Sequence, residues 1–104
     1  PKSEAVATTQ ARQIITRPQF LEAPQPPRYP TIARKRGQQG TVWLEVWLDE
    51  LGKTEKLAIL KSSGLTSLDK SAFKAVSQWR FKTHYQNGVA SAARLRIPVE
   101  FSLQ

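Results

Sequence analysis

Between Thr41 and Asp49 apolar and polar residues alternate, with Val42, Leu44, Val46 and Leu48 on one side and Thr41, Trp43, Glu45, Trp47 and Asp49 on the other. A period of two predicts a half-buried strand. Asp49-Glu50-Leu51-Gly52 then reads as a tight turn with Gly52 in a left-handed conformation. Thr54 to Lys61 returns with Leu57 and Ile59 on the core side, so the two segments are expected to pair as an antiparallel hairpin. The same period recurs from Ala92 to Leu103, where Leu95, Ile97, Val99 and Phe101 alternate with polar residues. Pro98 interrupts that run. Because proline has no N–H to give, this last strand is expected at a sheet edge, with the gap facing outward.

Two segments carry helical signals. From Tyr29 to Gly37, Pro30 occupies a first helical position, Arg34, Lys35 and Arg36 fill the last turn and Gly37 is the stop. Helix-end electrostatics explains the three cations; a nucleic-acid patch is the alternative. Thr66 and Asp69 offer a capping box for a second helix. Its stripe of Leu68, Ala72, Ala75, Val76 and Trp79 is expected on the sheet, with Lys70, Lys74 and Gln78 toward water. Thr83 to Ser91 reads as a loop with Asn87-Gly88 as its turn. The predicted fold class is α+β: a three-stranded antiparallel sheet packed on two helices, in the order α-β-β-α-β.

Residues 1–28 lack sustained periodicity and include Ala23-Pro24-Gln25-Pro26-Pro27, a proline-rich stretch of polyproline-like stiffness. Residues 1–24 are therefore expected as a flexible linker and 25–104 as the folded domain, with 1–22 mostly mobile. Ile14, Ile15 and Phe20 are too apolar for a pure spacer, and a helical turn or an extra strand is open there.

The chain has 104 residues, 39% of them hydrophobic, enough for one small core. Sixteen Lys and Arg against eight Asp and Glu give +8, with +5 of it in residues 1–36. Such a balance favours anionic partners without choosing among them. Cysteine is absent, so no redox compartment is implied. Methionine is absent too and the first residue is Pro1, which reads as a piece of a longer protein. No apolar run approaches the 18 or so residues of a membrane span.

Catalytic chemistry is poorly provided for. His84 is the one histidine and there is no cysteine, so common nucleophile and base pairings and metal sets have little to draw on. The glycines at 37, 40, 52, 64 and 88 match no phosphate-binding fingerprint. The chain is read as non-enzymatic, with no cofactor. Trp43 and Trp47 stand on the sheet face away from the predicted helices, beside Ala58 and Leu60. Either they form an apolar patch for a partner, or the N-terminal segment folds over them with Ile14, Ile15 and Phe20.

An ordered set of residues then carries a resemblance: Tyr29-Pro30, Ala33, Gly37, Gly40-Thr41-Val42, Asp49 with Gly52, Ser63-Gly64, Leu68-Asp69, Ala72, Trp79-Arg80-Phe81 and Pro98-Val99-Glu100-Phe101. Over about residues 25–104 the chain resembles the C-terminal domain of TonB-type energy transducers. The resemblance implies a periplasmic domain of a protein anchored in the inner membrane of a Gram-negative bacterium and driven through that anchor by a complex similar to ExbB and ExbD. It implies docking on the TonB box of an outer-membrane receptor, to import iron carriers, haem or cobalamin. The guest peptide would add to the last strand, here Arg94, Leu95, Arg96, Ile97, Pro98, Val99, Glu100, Phe101 and Ser102. The second contact region would be Gln25, Pro26, Pro27, Arg28 and Tyr29. The family often places a glutamine two residues before a Pro-Tyr or Gln-Tyr step; here it is Gln25, upstream of two prolines. That shift and the tryptophan pair hint at a transducer dedicated to one receptor, for haem.

The residues support the docking reading on their own terms, since an open edge strand accepts an extended peptide by main-chain hydrogen bonds. Arg94, Arg96 and Lys82 would speed the approach of an acidic peptide. The rival readings are a basic nucleic-acid-binding module, a cell-wall-binding module and a homodimer formed through the same edge. Nucleic acid is the weaker rival, because Trp43 and Trp47 flank Glu45 and not a cation.

Overall fold

The computed structural model describes residues 12–103. The elements run β1 (Gln13–Ile15), α1 (Thr31–Lys35), β2 (Gly40–Leu48), β3 (Thr54–Lys61), α2 (Thr66–Ser77), β4 (His84–Gln86), β5 (Val89–Ser91) and β6 (Ala93–Phe101). One sheet has the order β1-β6-β2-β3, and β4 and β5 form a separate hairpin.

β2 is central because both of its sides are paired and both of its faces are largely covered. It runs antiparallel to β6 over nine consecutive pairs, from Gly40 opposite Phe101 to Leu48 opposite Ala93. On its other side it runs antiparallel to β3, which carries an extra residue at Leu60 and again at Glu55. Val42, Leu44, Val46 and Leu48 are buried with Leu95, Ile97, Val99 and Phe101 of β6 and with Leu68, Ala72 and Val76 of α2. Each large aliphatic buried there contributes about 1.5–3 kcal/mol before conformational entropy is subtracted. The alternation of the two long strands and the stripe of α2 are thus one core seen from two sides. Trp79 lies just beyond α2, half-buried against that core.

The hairpin turn forms as expected, with Gly52 at φ +84° and Asp49 Oδ1 accepting from the N–H groups of Leu51 and Lys53. Gly52 also presses on a neighbour: a Cβ there would stand 2.9 Å from the Thr83 nitrogen. α1 starts one residue later than expected, with Pro30 as its cap, and stops before Gly37 at φ +66°.

Three expectations are corrected. The sheet has four strands and is mixed, because Gln13, Ile14 and Ile15 pair in parallel with Ala93, Arg94 and Leu95. A three-residue strand is too short to leave a periodicity, and what draws the segment in is apolar contact: Ile15 and Phe20 pack on the core. The expected loop at 83–91 contains a hairpin, since Asn87 and Gly88 both take positive φ, the geometry of a two-residue turn matched to strand twist. Finally, Thr66 makes no cap: Leu65 is the cap residue, without a side-chain hydrogen bond.

Asp69 faces back instead, accepting from Ser62 Oγ, from the Ser63 N–H at 3.0 Å and from Ser63 Oγ at 2.7 Å. Partial burial pushes its carboxyl up, but the bonds from Ser62 and Ser63 together outweigh this and hold it below the ordinary carboxylate value.

The expectation of a flexible linker falls, over residues 1–11, outside the described residues. From residue 12 onward the segment follows the domain. The Leu21 N–H donates to the Arg80 carbonyl and the Lys82 N–H to the Gln19 carbonyl, both at 2.9 Å. The Phe20 ring sits 5.6 Å edge-on from Trp79 and 5.4 Å from Phe81.

Candidate functional site

The feature that the sequence singled out, β6, is divided along its length. One side is paired with β2 throughout. On the other side β1 covers Ala93, Arg94 and Leu95, and among the described residues no strand pairs with Arg96 to Phe101. Leu95, Ile97, Val99 and Phe101 turn inward and are at most 5% exposed, while Pro98 and Glu100 are exposed. Pro98 stands opposite Trp43 in a ladder with no register shift. A regular ladder accommodates proline where the missing N–H faces away from the partner strand. Backbone groups of alternate residues point to the same side, so Arg94, Arg96, Pro98 and Glu100 share the outward side. β1 engages the first of these, and the other three lie along the uncovered stretch.

The second expected contact region is placed differently. The Gln25 carbonyl accepts from Trp79 Nε1 at 2.7 Å and the Arg28 carbonyl accepts from Ser71 Oγ, so Gln25 and Arg28 are tied to α2 and the turn after it. It is Tyr29 that meets β6: its ring stands edge-on to Phe101 at 5.4 Å and its hydroxyl donates to the Gln38 carbonyl. Pro26 is exposed and Pro27 half-buried between these ties. The structure therefore brings Tyr29 to the end of the strand and lays Gln25 to Arg28 along the helix.

On the outer face of the sheet, Glu45 is 2% exposed. Its Oε2 accepts from Arg94 Nη2 at 2.9 Å and from Arg96 Nε at 3.1 Å. The Arg94 guanidinium also lies 5.3 Å from the Trp47 ring centroid, with Lys56 Nζ on the same indole at 4.7 Å. Arg94 and Arg96 are thus held against the face and partly neutralised, which leaves less charge free to attract a peptide than the sequence suggested. Of the three apolar residues expected over the tryptophans, Ile15 and Phe20 pack instead on the core. Trp47 is flanked by the two cations, and Trp43 stays 38% exposed. The signal that could have found this cluster is the opposite placement of Glu45 and Arg96 once the strands are aligned, with Arg94 two residues away.

His84 lies at the start of β4, with Nε2 3.0 Å from Gln13 Oε1. Arg12 Nη2 reaches Glu55 Oε1 at 2.6 Å, from the strand beyond β2. These two polar contacts lie together at the start of β1. A cavity of about 460 Å³ lies beneath it, lined by Ile15, Arg17, Leu48, Phe81, Lys82 and Leu95 among others.

The family model for the C-terminal region of the Gram-negative bacterial TonB protein matches residues 25–103. The chain belongs to the TonB C-terminal family. A TonB protein of Vibrio cholerae is 42% identical over 104 residues, all of this chain and 43% of that protein. One from Xanthomonas campestris pv. campestris is 40% identical over 78 residues, 75% of this chain and 35% of that protein. The chain thus spans less than half the length of these TonB relatives. Among solved structures, the TonB C-terminal domain of Pseudomonas aeruginosa superposes with a TM-score of 0.65 at 24% identity, covering 80% of this chain and 84% of that one. The Helicobacter pylori TonB domain gives 0.58 at 23%, covering 74% and 69%. At these identities the two structures speak for a shared TonB fold.

Proposed function

We propose that this domain docks an extended segment of a partner protein by strand addition on β6, and that the partner segment is the TonB box of an outer-membrane receptor. The observation that carries this reading is the stretch from Arg96 to Phe101, which no strand among the described residues covers on the side away from β2. Its outward main-chain groups supply bonds that do not depend on the guest's side chains, while the guest's alternate side chains set specificity. Membership of the TonB family supports a receptor segment as the guest.

In this reading the domain works in the periplasm as the terminal part of a transducer anchored in the inner membrane. A complex similar to ExbB and ExbD drives the anchor, and the cargo of the receptor is an iron carrier, haem or cobalamin. The domain binds and transmits force; it carries out no catalysis. Trp47, flanked by Lys56 and Arg94, gives no argument for a haem-dedicated transducer. A homodimer through the same stretch of β6 would compete with the guest.

The test is a titration of isotope-labelled protein with a synthetic TonB-box peptide, followed through backbone amide shifts. The expected result is a set of perturbations along Arg94 to Ser102, with Tyr29 affected at the far end. Perturbations gathered around His84 that left residues 94–102 unmoved would overturn the assignment.

A further inference from the structure

We infer that β1 is a displaceable occupant of the docking edge, a segment of the domain's own chain that holds the Ala93–Leu95 part of β6 until a guest strand takes its place. The inference rests on the docking reading above and adds a competitor to it.

β1 is placed where a guest strand that extends past Arg96 toward the start of β6 must go. It pairs with β6 at Ala93, Arg94 and Leu95, and the free stretch begins at the next residue. It is also weakly held. Three residues make a marginal strand, and Gln13 and Ile14 are exposed. Its polar ties are the exposed Arg12–Glu55 ion pair and the Gln13–His84 contact, and neither is buried. The inward anchor of β1 itself is Ile15, half-buried over the core.

Displacement need not disturb the domain. Five residues beyond β1, Phe20 is fixed between Trp79 and Phe81, and the main-chain bonds of Gln19 and Leu21 clamp the chain on either side of it. The residues between, Thr16 to Pro18, form a bend outside any strand or helix. When β1 lifts, the chain stays tethered at Phe20, so the strand returns as an intramolecular competitor at high effective concentration. The arrangement does two things at once. It shields part of an edge that would otherwise invite unspecific pairing, and it lowers apparent guest affinity by the fraction of molecules in which β1 is closed.

Docking then has two stages: a guest engages Arg96 to Phe101 first and gains Arg94 only as β1 leaves. The chain contains no cysteine, so a single pair can be introduced cleanly. In Gln13→Cys/His84→Cys, a short bismaleimide bridges the two thiols and locks β1 down; the same protein capped with N-ethylmaleimide is the control. Arg12→Ala/Gln13→Ala removes both polar ties without touching β6. The probe is a fluorescent synthetic TonB-box peptide, with amide shifts recorded in parallel. The locked form is expected to bind on the order of tenfold more weakly than the capped form, with shifts confined to Arg96–Phe101. The released variant is expected to bind several-fold more tightly than the unmodified protein, with shifts reaching Arg94. Equal affinities in all forms, with shifts on β6, would overturn the role of β1 and leave docking intact. Shifts nowhere on β6 in any form would overturn the docking reading and this inference with it.

Discussion

The carboxylate of Glu45 holds the guanidinium of Arg94, with Oε2 and Nη2 2.9 Å apart across neighbouring strands and the acid 2% exposed. Arg96 Nε shares the same oxygen at 3.1 Å. Removing the acid leaves two neighbouring cations without a counter-charge, one of them largely buried. Glu45→Gln is expected to destabilise the domain by about 3 kcal/mol. Arg96→Ala, whose side chain is 40% exposed, is expected to cost about 1 kcal/mol or less. Urea unfolding of the two variants gives the comparison; a larger loss for Arg96→Ala would remove Glu45 from its central place.

Asp69 organises the approach to α2 by accepting from Ser62 and Ser63. Its folded-state value lies below the ordinary 3.8. The stabilisation is therefore fully present above that value and is lost as pH falls through the lowered one. Asp69→Asn is expected to cost about 1–2 kcal/mol near neutral pH. The gap between the two proteins should narrow below the ordinary value and close as pH falls through the lowered one. Unfolding curves at neutral and acid pH decide it, and a gap that widened on acidification would contradict the assigned sign.

Gly52 combines a left-handed backbone with a neighbour too close for a side chain: an added Cβ would meet the Thr83 nitrogen at 2.9 Å and the Phe81 carbonyl oxygen at 3.0 Å. Gly52→Ala is expected to destabilise by about 2 kcal/mol or more, since conformational strain and contact act together. Gly88→Ala, with positive φ but open space, is expected to cost only the conformational part, about 1 kcal/mol. Thermal unfolding of the pair separates the two contributions.

Glu100 shares the outward side of β6 with Pro98 and is exposed. Glu100→Pro removes a second outward donor while sparing the bonds that face β2, so the fold should survive and guest peptide affinity should fall about fivefold or more. Pro98→Ala restores a donor, and a gain of similar size is expected. Fluorescence titration measures both. Unchanged affinity in the pair would mean that the guest does not bond to this side of the strand.

Where burial was one-sided the sequence was readable. The alternation of Leu95, Ile97, Val99 and Phe101 and the stripe of Leu68, Ala72 and Val76 became core because each period matches one face of one element. Gly52 and Asn87-Gly88 were legible because few residues tolerate positive φ. Residues 13–15 were not, since three positions contain no period and their partner, β6, is about 80 residues away. The ties of Gln25 and Arg28 to α2 were hidden for another reason: both use main-chain carbonyls, which every residue carries. The burial of Glu45 was hidden because its two cations lie about 50 residues further along the chain.

Pro98, opposite Trp43 in the middle of a regular ladder, makes the outward positions of β6 unequal. Along a uniform edge, a strand displaced by two residues meets the same set of donors and the same face, so nothing distinguishes one alignment from the next. A single vacancy removes that degeneracy. It acts as an index mark: a guest must place one acceptor where none is served, and the sequence of the guest decides which. In the proposed docking under load, the result is that each cycle restarts from the same alignment and does not creep along the strand.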